Sequence, residues 1–90
     1  MAVGFIFDLP GVTQDQYDQV HNEVTPGSRA PAGLLFHAAG PTSDGWRVIE
    51  IWESQESADR FYQHTLAPVA QRANITPQPQ RFEVVNTMHP

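Results

Sequence analysis

The sequence predicts an α+β domain with elements in the order β-α-β-β-α-β, which makes a four-stranded antiparallel sheet with two helices on one face. Three observations carry this expectation. The stretch from Gly33 to Ser54 reads as a pair of strands joined by a tight turn, the second running straight into a helix start at Ser54. A matching strand and helix precede that stretch, and a last strand follows the second helix. Both faces of the paired strands are apolar, whereas a strand with one face in water alternates cleanly between apolar and polar.

Each element has its own signal. Ala2–Asp8 is β-branched and aromatic and is stopped by Leu9-Pro10-Gly11, so it reads as the first strand. Thr13 and Gln16 form a capping box, and the helix they start runs to about Val24. Its inward stripe is Tyr17, Val20, His21 and Val24, at helical spacing. Thr25–Pro31 is a loop bounded by prolines that cannot continue a helix. The second strand is expected over Ala32–Ala39 and the third over Trp46–Glu53. Gly40–Gly45 turns the chain between them, with Asp44-Gly45 suited to a positive φ. Leu34, Phe36 and Ala38 share one face of the second strand, and Leu35, His37 and Ala39 the other.

Ser54 is a good N-cap for the second helix, and Glu56 favours its positive end. The stripe Ala58, Phe61, Tyr62, Thr65, Leu66 and Val69 is continuous, but Pro68 demands a kink or restart near Ala67. After the extended Thr76–Pro79, the last strand is expected over Arg81–Met88.

Ninety residues make one domain, 1–90. A chain this short buries only about 60–65% of its unfolded surface and gains from oligomerisation. With its second sheet face uncovered, it is expected to form a homodimer with sheets packed face to face. There is no cysteine, which excludes disulfides, thiolate metal sites and a cysteine nucleophile. The net charge is -5, and the five basic residues are scattered arginines, so no nucleic-acid partner is expected. Met1–Pro10 lacks the features of a signal peptide, and no apolar run approaches the ~20 residues of a membrane span. A soluble, cytoplasmic protein with no membrane partner is expected. The four histidines lack metal-ligand spacing, and no glycine-rich strand-to-helix turn cradles a phosphate, so neither metal nor cofactor is expected.

The candidate catalytic residues are His37, His21 and Tyr17. His21 follows Tyr17 by four residues, so their rings share one helix face. His37 lies mid-strand among apolar residues, where an unsatisfied ring nitrogen costs about 1–3 kcal/mol. A histidine's ordinary pKa suits proton transfer. Trp52 and Trp46 share a strand face with Glu50. Together with Phe61 and Phe36 they are the candidate substrate-binding residues, a stacking wall for a flat ring with one positioned carboxylate. The alternative is that these side chains are core, with His37 and His21 held by structural hydrogen bonds.

The element order, with Trp52-Glu53-Ser54 leading into Ala58 and Phe61 on the second helix, resembles the antibiotic-biosynthesis monooxygenase-like group of proteins. The resemblance implies a ferredoxin-like fold that pairs into a dimeric α+β barrel. The group includes cofactor-free oxygenases of polycyclic phenols, haem-degrading oxygenases, isomerases and polyketide cyclases. The Trp and iron-ligating His of the haem-degrading branch fall near Phe61 and Gln71, which lack the required groups; His64 lies at the margin of the inward stripe. The polyphenol-oxygenase branch is matched at Trp52, with Asn86 and Arg81 available for its Asn and Arg partners. The resemblance and the residues together suggest a small cofactor-free enzyme acting on an aromatic or polyketide-like molecule. A histidine would abstract a proton, and the anion would react with oxygen as in a monooxygenase, or reprotonate or close a ring as in an isomerase or cyclase. A non-catalytic small-molecule-binding dimer is the alternative.

Overall fold

In the computed structural model, which describes residues 1–90, the sheet is built outward from two central strands. β1 (Val3–Pro10) and β3 (Gly45–Trp52) pair antiparallel, with Val3 opposite Trp52 and Phe5 opposite Glu50. β2 (Leu34–Pro41) flanks β3, and β4 (Pro79–Glu83) flanks β1, giving the order β2-β3-β1-β4. α1 (Gln14–Val24) connects β1 to β2. The crossover skips one strand position, which β3 then fills by returning through a hairpin.

The helices cover one face. From β1 come Val3, Phe5 and Phe7, and from β3 Trp46, Val48 and Trp52, all buried. The period of a strand puts these alternate residues on the same side. Phe5 and Phe7 each meet Tyr62 edge to face at 5.5 Å, an arrangement that aromatic quadrupoles favour. Thr13 caps α1: its hydroxyl oxygen accepts from the Gln16 amide at 3.2 Å, and Gln16 Oε1 accepts from the Thr13 amide at 2.9 Å. Ser54 caps α2 (Gln55–Phe61), its hydroxyl oxygen accepting from the Ser57 amide at 3.1 Å. The second helical stretch then widens into a π turn over Tyr62–Leu66 and restarts as α3 (Ala67–Arg72). Pro68 sits in the first turn of α3, where a missing amide proton costs nothing.

The strands differ from the sequence expectation in several places, and β1 runs on to Pro10 rather than stopping at Asp8. β4 ends at Glu83 rather than Met88 because its partner ends: Glu83 pairs with Val3, the first residue of β1. It also begins earlier, at Pro79, which an edge strand accommodates. β2 is displaced two residues towards the turn, since pairing with β3 continues to Pro41 opposite Trp46. An irregularity between Leu34 and Phe36 alters the strand's alternation. Leu34 therefore pairs with Trp52 and shares the inner face with His37, while Phe36 pairs with Ile51 on the outer face. Finally, Gly45 is not at positive φ. It is the first residue of β3, and a Cβ there would meet the Leu9 carbonyl oxygen at 2.2 Å and the Gly11 amide nitrogen at 2.8 Å.

The outer sheet face has no helix on it. Ile6, Ile49 and Ile51 are partly buried there, while Phe36 and Phe82 remain 55% and 41% exposed. The Phe82 ring lies directly over Gly4, whose missing side chain makes the space. No helix is long and apolar enough to cross a membrane.

Gly45→Ala places a methyl group against backbone atoms that cannot rotate away. Overpacking of this kind costs about 1–3 kcal/mol. Urea unfolding should show a loss at the upper end of that range, and an unchanged midpoint would remove this reason for the glycine.

Candidate functional site

The site grows from register. On β3, alternation turns Val48 and Glu50 inward, and on β2 the residue opposite Glu50 is His37. Glu50 is buried, with 7% of its surface exposed. Three side chains donate to its carboxylate: His37 Nδ1 to Oε2 at 3.0 Å, Tyr62 Oη to Oε1 at 2.7 Å, and Trp52 Nε1 to Oε1 at 3.1 Å. Burial pushes the carboxyl pKa up, but the hydrogen bonds from His37, Tyr62 and Trp52 and the attraction to His37 prevail, and it lies below its ordinary value. Glu50 is thus an anion inside the helix–sheet layer.

That anion sets the histidine. An ionised carboxylate only accepts, so His37 keeps a proton on Nδ1, and its neutral form presents a bare Nε2. The Tyr17 hydroxyl lies 2.6 Å from Nε2 and donates to it. Burial, the charge of Glu50 and, least, that of Asp18 push the Tyr17 phenol up to about 12. Carboxylate, imidazole and phenol form one line, ordered like the carboxylate–histidine–hydroxyl chain of hydrolases but ending in an aromatic hydroxyl.

His21 joins from the next turn of α1. Its ring stacks on Tyr17 with centroids 5.4 Å apart and planes 20° from parallel, and is 5.6 Å from the His37 ring. Its Nδ1 is 3.4 Å from both the Tyr17 and Thr25 hydroxyls, at the long end of hydrogen bonding. Thr25, buried at the end of the helix, donates to the His21 carbonyl at 2.7 Å. The Trp46 ring packs against Tyr17, with centroids 5.3 Å apart.

These groups line a cavity of about 330 Å³ between α1, the sheet and the second helical stretch. The rest of its wall is mainly apolar and includes Phe7, Val20, Leu34, Val48, Phe61 and Leu66. Of the eight residues expected at the site, Tyr17, His21, His37, Glu50 and Phe61 line this cavity. Trp52 and Trp46 do not: both are core, and Trp52, fully buried, acts on the cavity through its bond to Glu50 and its ring against Phe61 at 5.4 Å. Phe36 is corrected outright. It is on the opposite sheet face from His37, because successive strand residues point to opposite sides. The other residues weighed for family roles do not join the cavity: His64 is exposed, Asn86 lies beyond β4, and Arg81 donates to Gln55. No group of three His, Cys, Asp or Glu side chains is placed to hold a metal ion.

Three participants were not anticipated. Tyr62 reads from sequence as core and proves to be a donor to Glu50. Thr25 follows His21 by four residues, the same interval as Tyr17 to His21, and that repeat was its signal. Arg29 lines the cavity from the loop after α1 and carries no periodic signature.

The chain contains two tyrosines, Tyr17 and Tyr62, and burial together with Glu50's charge raises the pKa of both. A raised pKa contributes stability that is whole below the ordinary phenol value, about 10, and is lost as pH climbs through the folded value. Ultraviolet titration should therefore show no phenolate near pH 10–11 in the folded protein, and ionisation above that accompanied by unfolding. A tyrosine titrating normally while circular dichroism stays native would contradict the buried chain of bonds.

No family model matches the chain. No curated protein matches it either. Solved structures do. SnoaB from Streptomyces nogalater, described as a cofactor-independent oxygenase, superposes with a TM-score of 0.68 at 17% identity, over 97% of this chain and 96% of that one. A candidate antibiotic biosynthesis monooxygenase from Chloroflexus aurantiacus superposes with a TM-score of 0.70 at 16% identity, over 99% and 98%. PA3566 from Pseudomonas aeruginosa gives 0.70 at 14% identity, over 94% and 95%. The chain has the α+β ferredoxin-like fold of the antibiotic-biosynthesis monooxygenase-like proteins.

Proposed function

We propose that this protein is a small cofactor-free monooxygenase acting on an aromatic or polyketide-like substrate by histidine-assisted proton abstraction. The observation that carries the reading is the Glu50–His37–Tyr17 chain on the wall of an apolar cavity. His37 Nε2 is the base. A phenol or activated carbon gives up its proton either to Nε2 directly, once Tyr17 rotates aside, or through Tyr17, whose oxygen receives the substrate proton as its own passes to His37. Glu50 stabilises the imidazolium that results, and does so best because it is already ionised. His21 stacks against Tyr17 and holds its plane. The substrate ring lies among Phe61, Leu34 and Val20.

The anion then reacts with molecular oxygen. A new carbon–oxygen bond forms, the resulting peroxide anion takes back the proton to give a hydroperoxide, and loss of water leaves a carbonyl. A CH2 group and O2 become C=O and H2O, with the substrate supplying all four electrons. The likeness to SnoaB, described as a cofactor-independent oxygenase, supports this ending over simple reprotonation, which would make the protein an isomerase or cyclase. A second reading, a non-catalytic binding dimer, is favoured by one observation: both nitrogens of His37 already have protein partners.

Oxygen uptake and product mass on a panel of anthrones and naphthols test the reading. Wild type should consume oxygen and add one oxygen atom to product without metal or flavin. His37→Gln should lower turnover by about 100-fold or more, the usual range for a lost general base, while remaining folded. Product without oxygen uptake would replace the monooxygenase by an isomerase or cyclase. A His37→Gln variant that turns over normally would end the histidine mechanism.

The reading includes a homodimer. Ile6, Ile49, Ile51, Phe36 and Phe82 give the uncovered sheet face an apolar surface suited to a second copy, sheet on sheet about 10 Å apart. Light scattering at micromolar concentration should give twice the 10.0 kDa chain mass. Phe36→Asp should shift the protein towards monomer, and a wild-type monomer would refute the pairing.

A further inference from the structure

We propose that the loop after α1 carries an anion subsite, and that the ligand of the cavity is an aromatic acid whose carboxylate meets Arg29. The proposal rests on the reading of the cavity as a substrate site and names the class of molecule it takes.

The first support is a census of cations. Arg47 pairs with Asp8, Arg60 with Glu56 and Arg72 with Glu23, and Arg81 donates to Gln55. Arg29 is the fifth arginine and has no hydrogen bond or ion pair to the protein. It is also the arginine that lines the cavity. An arginine's fork of donors matches a carboxylate in two parallel bonds. Ser28, beside it, lines the same cavity with a hydroxyl that likewise has no protein partner.

The second support is the charge layout. Apart from the histidines, Glu50 and Arg29 are the ionisable groups of opposite sign on the cavity wall. Glu50 is satisfied by Tyr62, Trp52 and His37. A ligand carboxylate placed beside it would face like-charge repulsion in a dry site. The protein carries a net charge of -5, which disfavours an anion over much of its surface, and Arg29 is the one arginine on the cavity wall. A ligand with its acidic proton towards His37 and its carboxylate towards Arg29 satisfies both groups and lays its rings along the apolar wall between them.

Arg29 and Ser28 are both exposed, so the subsite lies on the solvent side of the cavity. Ser28 has φ 57°, in the left-handed region that a non-glycine residue rarely occupies. Its amide is tied to the Thr25 carbonyl at 2.9 Å. The same turn therefore links the buried Thr25, next to His21, to the free Arg29.

The test is equilibrium binding by calorimetry, with 6-hydroxy-2-naphthoic acid, its methyl ester and 2-naphthol as probes, on wild type and Arg29→Gln. Wild type should bind the acid about fivefold or more tighter than the ester, the size expected for a partly exposed ion pair. Arg29→Gln should abolish that preference and leave the Kd for 2-naphthol unchanged. Equal binding of acid and ester by wild type, or a preference that survives Arg29→Gln, would overturn the subsite while 2-naphthol binding leaves the cavity reading intact. Failure of all three probes to bind either protein would count against the cavity reading, and the subsite would fall with it.

Discussion

A carboxylate without water needs other donors, and Glu50 finds them in three elements at once. Its partners come from β2 (His37), from β3 itself (Trp52) and from the π turn that follows α2 (Tyr62). Removing one partner of a buried charge costs roughly 3–5 kcal/mol, because the remaining charge is left uncompensated. The same bonds that keep Glu50 ionised therefore pin the hairpin to the second helical stretch. They also fix which nitrogen of His37 is bare, and so fix where Tyr17 must place its hydroxyl. Stability of the layer and chemistry of the cavity depend on one side chain.

The π turn belongs to this arrangement. Tyr62, its first residue, reaches Glu50 with its hydroxyl while its ring packs edge to face on Phe5 and Phe7. A π turn adds a residue to the helical repeat and is often found where a site imposes its own geometry. Pro68 then begins a fresh helix that carries Ala70 to the cavity wall. The outer sheet face contributes nothing to this chemistry. Its apolar residues sit opposite the cavity face, so the surface proposed to pair with a second copy and the proposed reacting groups are back to back across one sheet.

Much of the fold was legible. Helix caps are local, so the Thr13 capping box and the Ser54 N-cap marked both helix starts. The helical stripes are also local, and Tyr17, Val20, His21 and Val24 turn inward as the spacing required. The site was legible in its parts: Tyr17, His21, His37, Glu50 and Phe61 were identifiable by type and place, and they meet at one cavity. The links between them were less so. Counted outward from the expected turn, Gly40–Gly45, His37 falls opposite Val48; the structure carries β2 on to Pro41 and so pairs His37 with Glu50. The irregularity at Leu35 was not legible either, and it moves Leu34 to the inner face while Phe36 stays outside.

The sequence by itself determined the order of elements, the helix boundaries at their capped ends, and which residue types were costly enough to bury that they demanded partners. Those properties depend on neighbours within a few positions along the chain. Tertiary structure alone decided that Tyr62 would hold Glu50, that Trp52 would serve the cavity from behind, and that β4 would stop where β1 gives it no further partner. It also decided that Arg29 would stand at the cavity without a protein carboxylate. Each of these is a contact between residues far apart in sequence. Such contacts are selected by packing and by the need to satisfy buried charge, and no local pattern records them.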